Sequence, residues 1–232
     1  MSLAGRAVLA IWNGITPQAE EEFVAWHVRE HIPERVGLPG FLRGRRYIAI
    51  DGSPKFFNFY ETRCIEDLSS AAYLARLDDP TPWTRAVVAQ FTDTSRTLCH
   101  VKGSVGRGDG AAIETVRMSS SLPADRFARA LMDRCASLVA TVTGIVAAHL
   151  LKGDSEGSNR LTAEKKLRGG EDEIADWILL IEATDVQRLA ELRSSALSDA
   201  TLIEGGARTG LKRGIYILQY DLSASELENS KA

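Results

Sequence analysis

The chain has 232 residues, 44% of them hydrophobic, which suffices for one large core or two modest ones. Its net charge of -3 is spread over interspersed acids and bases with no run of like sign, so nucleic acid and membrane surfaces have no electrostatic footprint to meet. Cys64, Cys99 and Cys135 are far apart with no CxxC pair, no apolar stretch reaches the roughly 18 residues of a membrane span, and the N-terminus lacks signal-peptide features; a cytoplasmic protein with small-molecule or protein partners is expected.

β-Branched content and alternation predict a first strand over 7–13, and Thr16-Pro17 then supplies an N-cap and first-turn proline for a helix over 17–32. Pro33 and Pro39 are expected to close that helix. Strands over 41–50 and 55–62 flank the turn cluster Asp51-Gly52-Ser53-Pro54, and a second helix follows over 67–77. Pro80 and Pro82 break the chain before a short helical segment at 83–90 and a strand at 95–102.

Residues 103–110, GSVGRGDG, hold four glycines in eight positions and are expected to be a flexible linker between a unit at 5–102 and a second at 111–222. The second unit reads as strand 112–118, helix 124–140, strand 144–152, strand 176–183, helix 186–197 and strand 212–222. Between them, the polar stretch 153–173, with Gly153, Gly157, Gly169 and Gly170 and no aromatics, is expected to be a mobile rather than a catalytic loop. The tail 223–232 has too few apolar residues to dock firmly.

The two units align on each other. Phe23 and Phe127, and Gly40 and Gly144, stand 104 residues apart, whereas Glu61 and Glu182 stand 121 apart, so the second copy has gained 17 residues between. Each copy is a β-α-β-β-α-β, ferredoxin-like α+β unit with two helices on one sheet face. Along 56–61, Phe56, Asn58 and Tyr60 point one way and Phe57, Phe59 and Glu61 the other, so the second sheet face also needs cover. Two such sheets packed face to face as an intramolecular α+β barrel satisfy both requirements. That makes the expected species a monomer with an internal pseudo-dimer, or a weak homodimer through remaining strand edges.

This arrangement resembles the dimeric α+β barrel superfamily, and the first copy resembles its EthD-like branch. The residues that carry the likeness are Phe23-Val-Ala-Trp26-His27-Val-Arg-Glu30-His31-Ile-Pro33, then Pro39-Gly40-Phe41, Arg46-Tyr47, Tyr60-Glu61 and Pro82-Trp83-Thr84. The resemblance implies a pocket between sheet and helices, used across the superfamily for cofactor-free oxygenation, isomerisation, dehydration, haem chemistry or no known chemistry. Fold alone does not choose among these.

On a straight α-helix, His27 and His31 share a face with apolar residues and with Phe23, toward the sheet. Each is either a packed core histidine bonded to a carbonyl or tyrosine, or a pocket acid or base, since imidazole titrates near neutrality. The internal comparison favours a site in the first copy: Trp26, His27 and His31 correspond to Ala130, Leu131 and Cys135 in the second. Arg46 is a candidate stabiliser of developing negative charge, to be tested as a pair with Glu61, while alternation puts Arg43, Arg45 and Tyr47 on the opposite strand face.

Trp12, Asn13, Trp26, Tyr47, Tyr60 and Trp83 are candidate walls for an aromatic or polyketide-like substrate, and each is also a plausible core residue. His27 to His31 spells HxxEH, a zinc-helix pattern, but a catalytic zinc needs a third protein ligand that the sequence does not place there. No phosphate-binding glycine loop or GxSxG elbow occurs, so neither a metal nor a nucleotide cofactor is expected. The readings carried forward are a proton-transfer enzyme using His31 with His27 or Arg46, a non-catalytic ligand- or partner-binding module, and a haem protein with His31 or His149 as axial ligand.

Overall fold

A computed structural model describes residues 3–169 and 172–229. In chain order it contains β1 (Ala7–Ile15), a 3-10 turn (Pro17–Ala19), α1 (Glu20–Trp26), a π-helical turn (His27–His31), α2 (Ile32–Val36), β2 (Phe41–Gly52) and β3 (Phe56–Thr62). A second 3-10 turn (Ile65–Ser69), α3 (Ala71–Asp78), α4 (Pro82–Val88) and β4 (Phe91–Gly106) complete the first half. The second half has β5 (Ala112–Met118), α5 (Ala124–Thr141), β6 (Ile145–Asp154), α6 (Ser155–Ser158), α7 (Ala163–Arg168) and β7 (Trp177–Ala183). It ends with α8 (Val186–Arg193), α9 (Asp199–Glu204), β8 (Lys212–Ser223) and α10 (Ala224–Asn229).

The eight strands close into one antiparallel barrel in the order β1-β3-β2-β8-β5-β7-β6-β4. Each half contributes four strands in the ferredoxin-like order, 4-1-3-2 and 8-5-7-6. The expected α+β class and packing of two units hold, with one change in how they meet. The halves are not merely stacked face to face: their edges are hydrogen-bonded through the seams β2·β8 and β4·β6. Closure satisfies backbone groups that an open sheet edge would leave unpaired.

The barrel interior is packed by Val8, Trp12, Tyr47, Phe57, Phe59, Ile113, Leu151, Leu180 and Tyr216. The helices cover the outside through separate clusters, around Phe127 and Trp177 in the second half and around Phe23, Trp26, Ile32 and Tyr60 in the first. Hence β3, β5 and β7 are buried along their whole length, as aromatics on both faces of β3 require.

Four local expectations are corrected. Pro33 does not end the first helix, which continues to Val36; the wider π turn before it, in which Ile32 N–H bonds His27 O, relieves the clash of the proline ring with the preceding turn. The glycine-rich segment is strand as far as Gly106, paired with β6. A Cβ on Gly103 would lie 2.5 Å from Met132 of α5, so this glycine serves close packing rather than flexibility. The stretch 153–173 contains α6 and α7, with Gly170 outside the described residues, and 224–229 is helical, with Leu227 packed on the first-half core. No helix among the described residues is long and apolar enough to cross a membrane.

Candidate functional site

The first-half helical run is anchored by Phe23 and Trp26, both fully buried. The Trp26 indole donates to Thr84 Oγ1 at 3.1 Å, and Thr81 and Thr84 donate to Glu30 at 2.6 and 3.1 Å, which ties the run to α4. Glu30 is therefore turned toward α4 and away from the position a zinc-helix general base would take.

The π turn sets the two histidines as a ring stack. His27 lies 4.7 Å from the Phe23 ring, His31 lies 4.1 Å from Trp26, and the two imidazoles are 5.3 Å apart and within 7° of parallel. They are only 2% and 7% exposed, and the Nδ1 atom of each is buried without a hydrogen-bond partner. So neither ring is the satisfied core histidine of the simplest packing reading. Burial drives both pKa values well below the ordinary value of 6.5; Arg46 and then Arg35 add to the effect at His27, Arg35 and then His27 at His31. Both rings are neutral at physiological pH.

His31, Trp26, Tyr60 and Arg35 line a cavity of about 30 Å³ together with Tyr73, Arg96, Glu164 and Arg168. That volume holds about one water, not an aromatic ring. Tyr60 is fully buried, its hydroxyl has no partner, and burial raises its pKa above the ordinary value so that it stays protonated. Tyr73 accepts a 2.8 Å hydrogen bond from Arg96. Arg35, 2% exposed, is paired with Glu34 at 2.9 Å and with Glu164 of α7. Burial is the largest single effect and opposes its charge, but Glu164, Tyr73, Glu34 and Tyr60 together outweigh it and keep Arg35 firmly protonated.

Three of the sequence candidates, Trp26, His31 and Tyr60, meet at this cavity, with His27 stacked behind. Arg46 faces the same helical run but donates to Gln219 and to Val24 O at 3.1 and 3.3 Å. It does not pair with Glu61, which lies on the other strand face inside the barrel, 3.0 Å from Arg45. Asn13 accepts from Asn58 at 2.7 Å. Trp12 and Tyr47 sit in the barrel interior, Trp12 stacked 4.7 Å from Phe57, and Trp83 lies outside, donating to Glu22 at 2.7 Å. These four are not brought to the cavity.

Sequence reasoning missed Arg35, Tyr73, Arg96, Glu164 and Arg168. Arg35 was within reach, since His27, His31 and Arg35 follow at successive four-residue steps. Glu164 had no signal, because nothing in a polar loop marks which carboxylate will turn inward.

His149 belongs to a second polar cluster within the barrel. Its Nδ1 meets Ser104 Oγ at 2.9 Å and its Nε2 meets Glu182 at 3.2 Å, so axial ligation of haem would take a ring nitrogen from one of them. Two larger surface clefts of about 500 Å³ are present, one beside Arg117, Glu173 and Lys212, which adjoins the cavity through Phe91, Thr94 and Arg168, the other beside Leu68, Leu98 and Asp154. Neither is lined by a buried group lacking a partner, which is why the small cavity at His31 is the candidate site.

No family model matches the sequence, and no curated protein matches it. The fold does have solved counterparts. An anthrone oxidase-like protein superposes with a TM-score of 0.69 at 19% identity, over 98% of this chain and 97% of that one. A candidate monooxygenase from Lactobacillus acidophilus gives 0.59 at 8% identity over 94% and 97%. A haem-binding protein from Thermus thermophilus gives 0.51 at 12% identity over 97% and 94%. Matched along almost their whole length to such structures, the two halves of this chain form a ferredoxin-like α+β barrel from a single polypeptide.

Proposed function

We propose that the protein is a small-molecule enzyme of the EthD-like type that removes a proton from an acidic carbon or hydroxyl of an aromatic, polyketide-like substrate. The observation that carries this reading is a buried, neutral His31 with an unpartnered Nδ1, beside a permanently charged Arg35, in a cavity walled by Trp26 and Tyr60. In this scheme His31 takes the proton, Arg35 faces the anion that forms, and the Tyr60 hydroxyl donates to it. His27 stacks on His31 and fixes its plane, with Arg46 behind it.

Burial makes His31 a weak base while the cavity is empty. A substrate anion forming beside it favours the imidazolium, so its basicity rises as the proton is transferred. The anion then reacts with dioxygen, as anthrone does on going to anthraquinone and water, or is reprotonated elsewhere in an isomerisation. A binding-only role would use the same cavity and return its ligand unchanged. Three unpaired cysteines fit a cytoplasmic setting.

Oxygen uptake and quinone absorbance with anthrone as probe provide the test. His31→Ala is expected to lower turnover by about 10² to 10⁴-fold, the usual contribution of a general base, with a nearly unchanged thermal midpoint. Unaltered turnover in that variant overturns the assignment, and a large drop in midpoint assigns the ring to the core instead.

A further inference from the structure

The cavity at His31 is too small for any aromatic substrate, and what closes it is α7, which contributes Glu164 and Arg168 to its wall. The short helix has six residues. Its start is tied by Ala163 N–H to Asp78 at 3.1 Å, and Leu167 packs on the Phe23 cluster. Its deep contacts are the Glu164 carboxylate, 5% exposed, on the buried Arg35 guanidinium, and the buried Arg168 side chain, paired with Asp172 at 2.7 Å. Around the Glu164–Arg35 contact, His31 Nδ1 and Tyr60 Oη are buried and unpartnered, although a closed core normally satisfies such atoms.

A buried guanidinium needs an anion beside it. Arg35 has two, Glu34 and Glu164, and of these it is Glu164 that lines the cavity. We propose that Glu164 is an internal occupant of an anion subsite: its carboxylate keeps, on Arg35, the place of an anionic group of the substrate, and α7 withdraws when that substrate arrives. The substrate class is thereby narrowed to aromatic compounds bearing a carboxylate, or an enolate or phenolate, at the edge that meets Arg35. This deepens the function proposed above and rests on it only for the identity of the cavity.

Because the competent state is reached by breaking the Glu164–Arg35 pair, apparent affinity in the intact protein is reduced by the fraction of open molecules. Replacing Glu164 removes the competitor while leaving Arg35 in place. The test is fluorescence titration with 1-hydroxy-2-naphthoate, an anionic aromatic probe, against 1-naphthol, its neutral counterpart. E164Q is expected to bind the naphthoate about 10-fold or more tighter than the unaltered chain, with little change for naphthol, and adding Arg35→Met should abolish the gain. An equal gain for both probes, or none for the naphthoate, overturns the proposal.

Should E164Q fold poorly, amide hydrogen exchange on the unaltered chain serves instead. The naphthoate, and not naphthol, is expected to speed exchange over residues 163–168, and no acceleration counts against the proposal. Neither readout needs turnover. A protein that shows this charge preference but neither consumes oxygen nor isomerises its ligand defeats the enzymatic reading and keeps the anion subsite.

Discussion

His27 and His31 are the residues at which sequence and physics met most directly. Their shared face, and their absence from the equivalent Leu131 and Cys135 positions, were legible from helix periodicity and the internal alignment. The π turn was not, since its energy depends on what the widened backbone packs against, and ending the helix at Pro33 hid Arg35. Both rings are neutral in the fold and take up protons near 6.5 once unfolded, so the unfolded chain is favoured as pH drops below that value. Each ring adds about 1.4 kcal/mol per pH unit to the slope of stability against pH below 6.5. Urea unfolding should therefore show a loss of stability from pH 7.5 to 5.5 that is smaller by about 1.4 kcal/mol in His27→Leu, the residue the second copy uses. Identical losses would mean that His27 is not buried as a neutral ring.

Among the elements, the strand ends inside the barrel hold a pseudo-symmetric ion cluster. At the offsets of the two copies, His149 takes the place of Arg45 and Glu182 that of Glu61. Arg45 donates to Glu61 at 3.0 Å and to Glu182 at 3.3 Å; backbone N–H groups of Ala4 and Gly110 reach the same two carboxylates at 2.5 and 2.8 Å. Burial alone would raise the Glu182 pKa, but the hydrogen bond from His149 and the charge of Arg45 prevail and hold it at about 2. Stability from this carboxylate, about 3 kcal/mol, is complete above pH 4.5 and is lost as pH falls through about 2. Glu182→Gln should destabilise by about 3 to 5 kcal/mol at neutral pH and flatten the acid limb between pH 4.5 and 2 in thermal melts. An unchanged acid limb would refute that account.

Alternation correctly separated Arg45 from Arg46, yet the register puts Glu61 opposite Arg43 while its carboxylate pairs with Arg45 on the diagonal, which alternation does not settle. Loop chemistry misled for a related reason. A Cβ on Gly153 would lie 2.1 Å from Ala175 O, so a glycine read as slack is there to let two backbones touch.

For the whole molecule, the strand order was legible because each copy repeats one pattern of strands and helices, whereas closure was not, because no residue type marks a strand edge that will pair with the other half. With both neighbours of each of the eight barrel strands supplied within the chain, no edge among the described residues of the barrel is left to recruit another copy. Sedimentation equilibrium at micromolar concentration is expected to give the mass of one chain, and a dimer there would point to an interface outside the barrel. The seams β2·β8 and β4·β6 also join unlike halves, and this sets a stoichiometry. A barrel made from two identical polypeptides displays every side chain twice about its axis, and with it two pockets that can influence each other. Here the imidazole pair exists once per barrel, so ligand titration should saturate at one equivalent along a simple hyperbola. The second helical layer, freed from duplicating a pocket, is left to fill its space with Leu131 and Cys135.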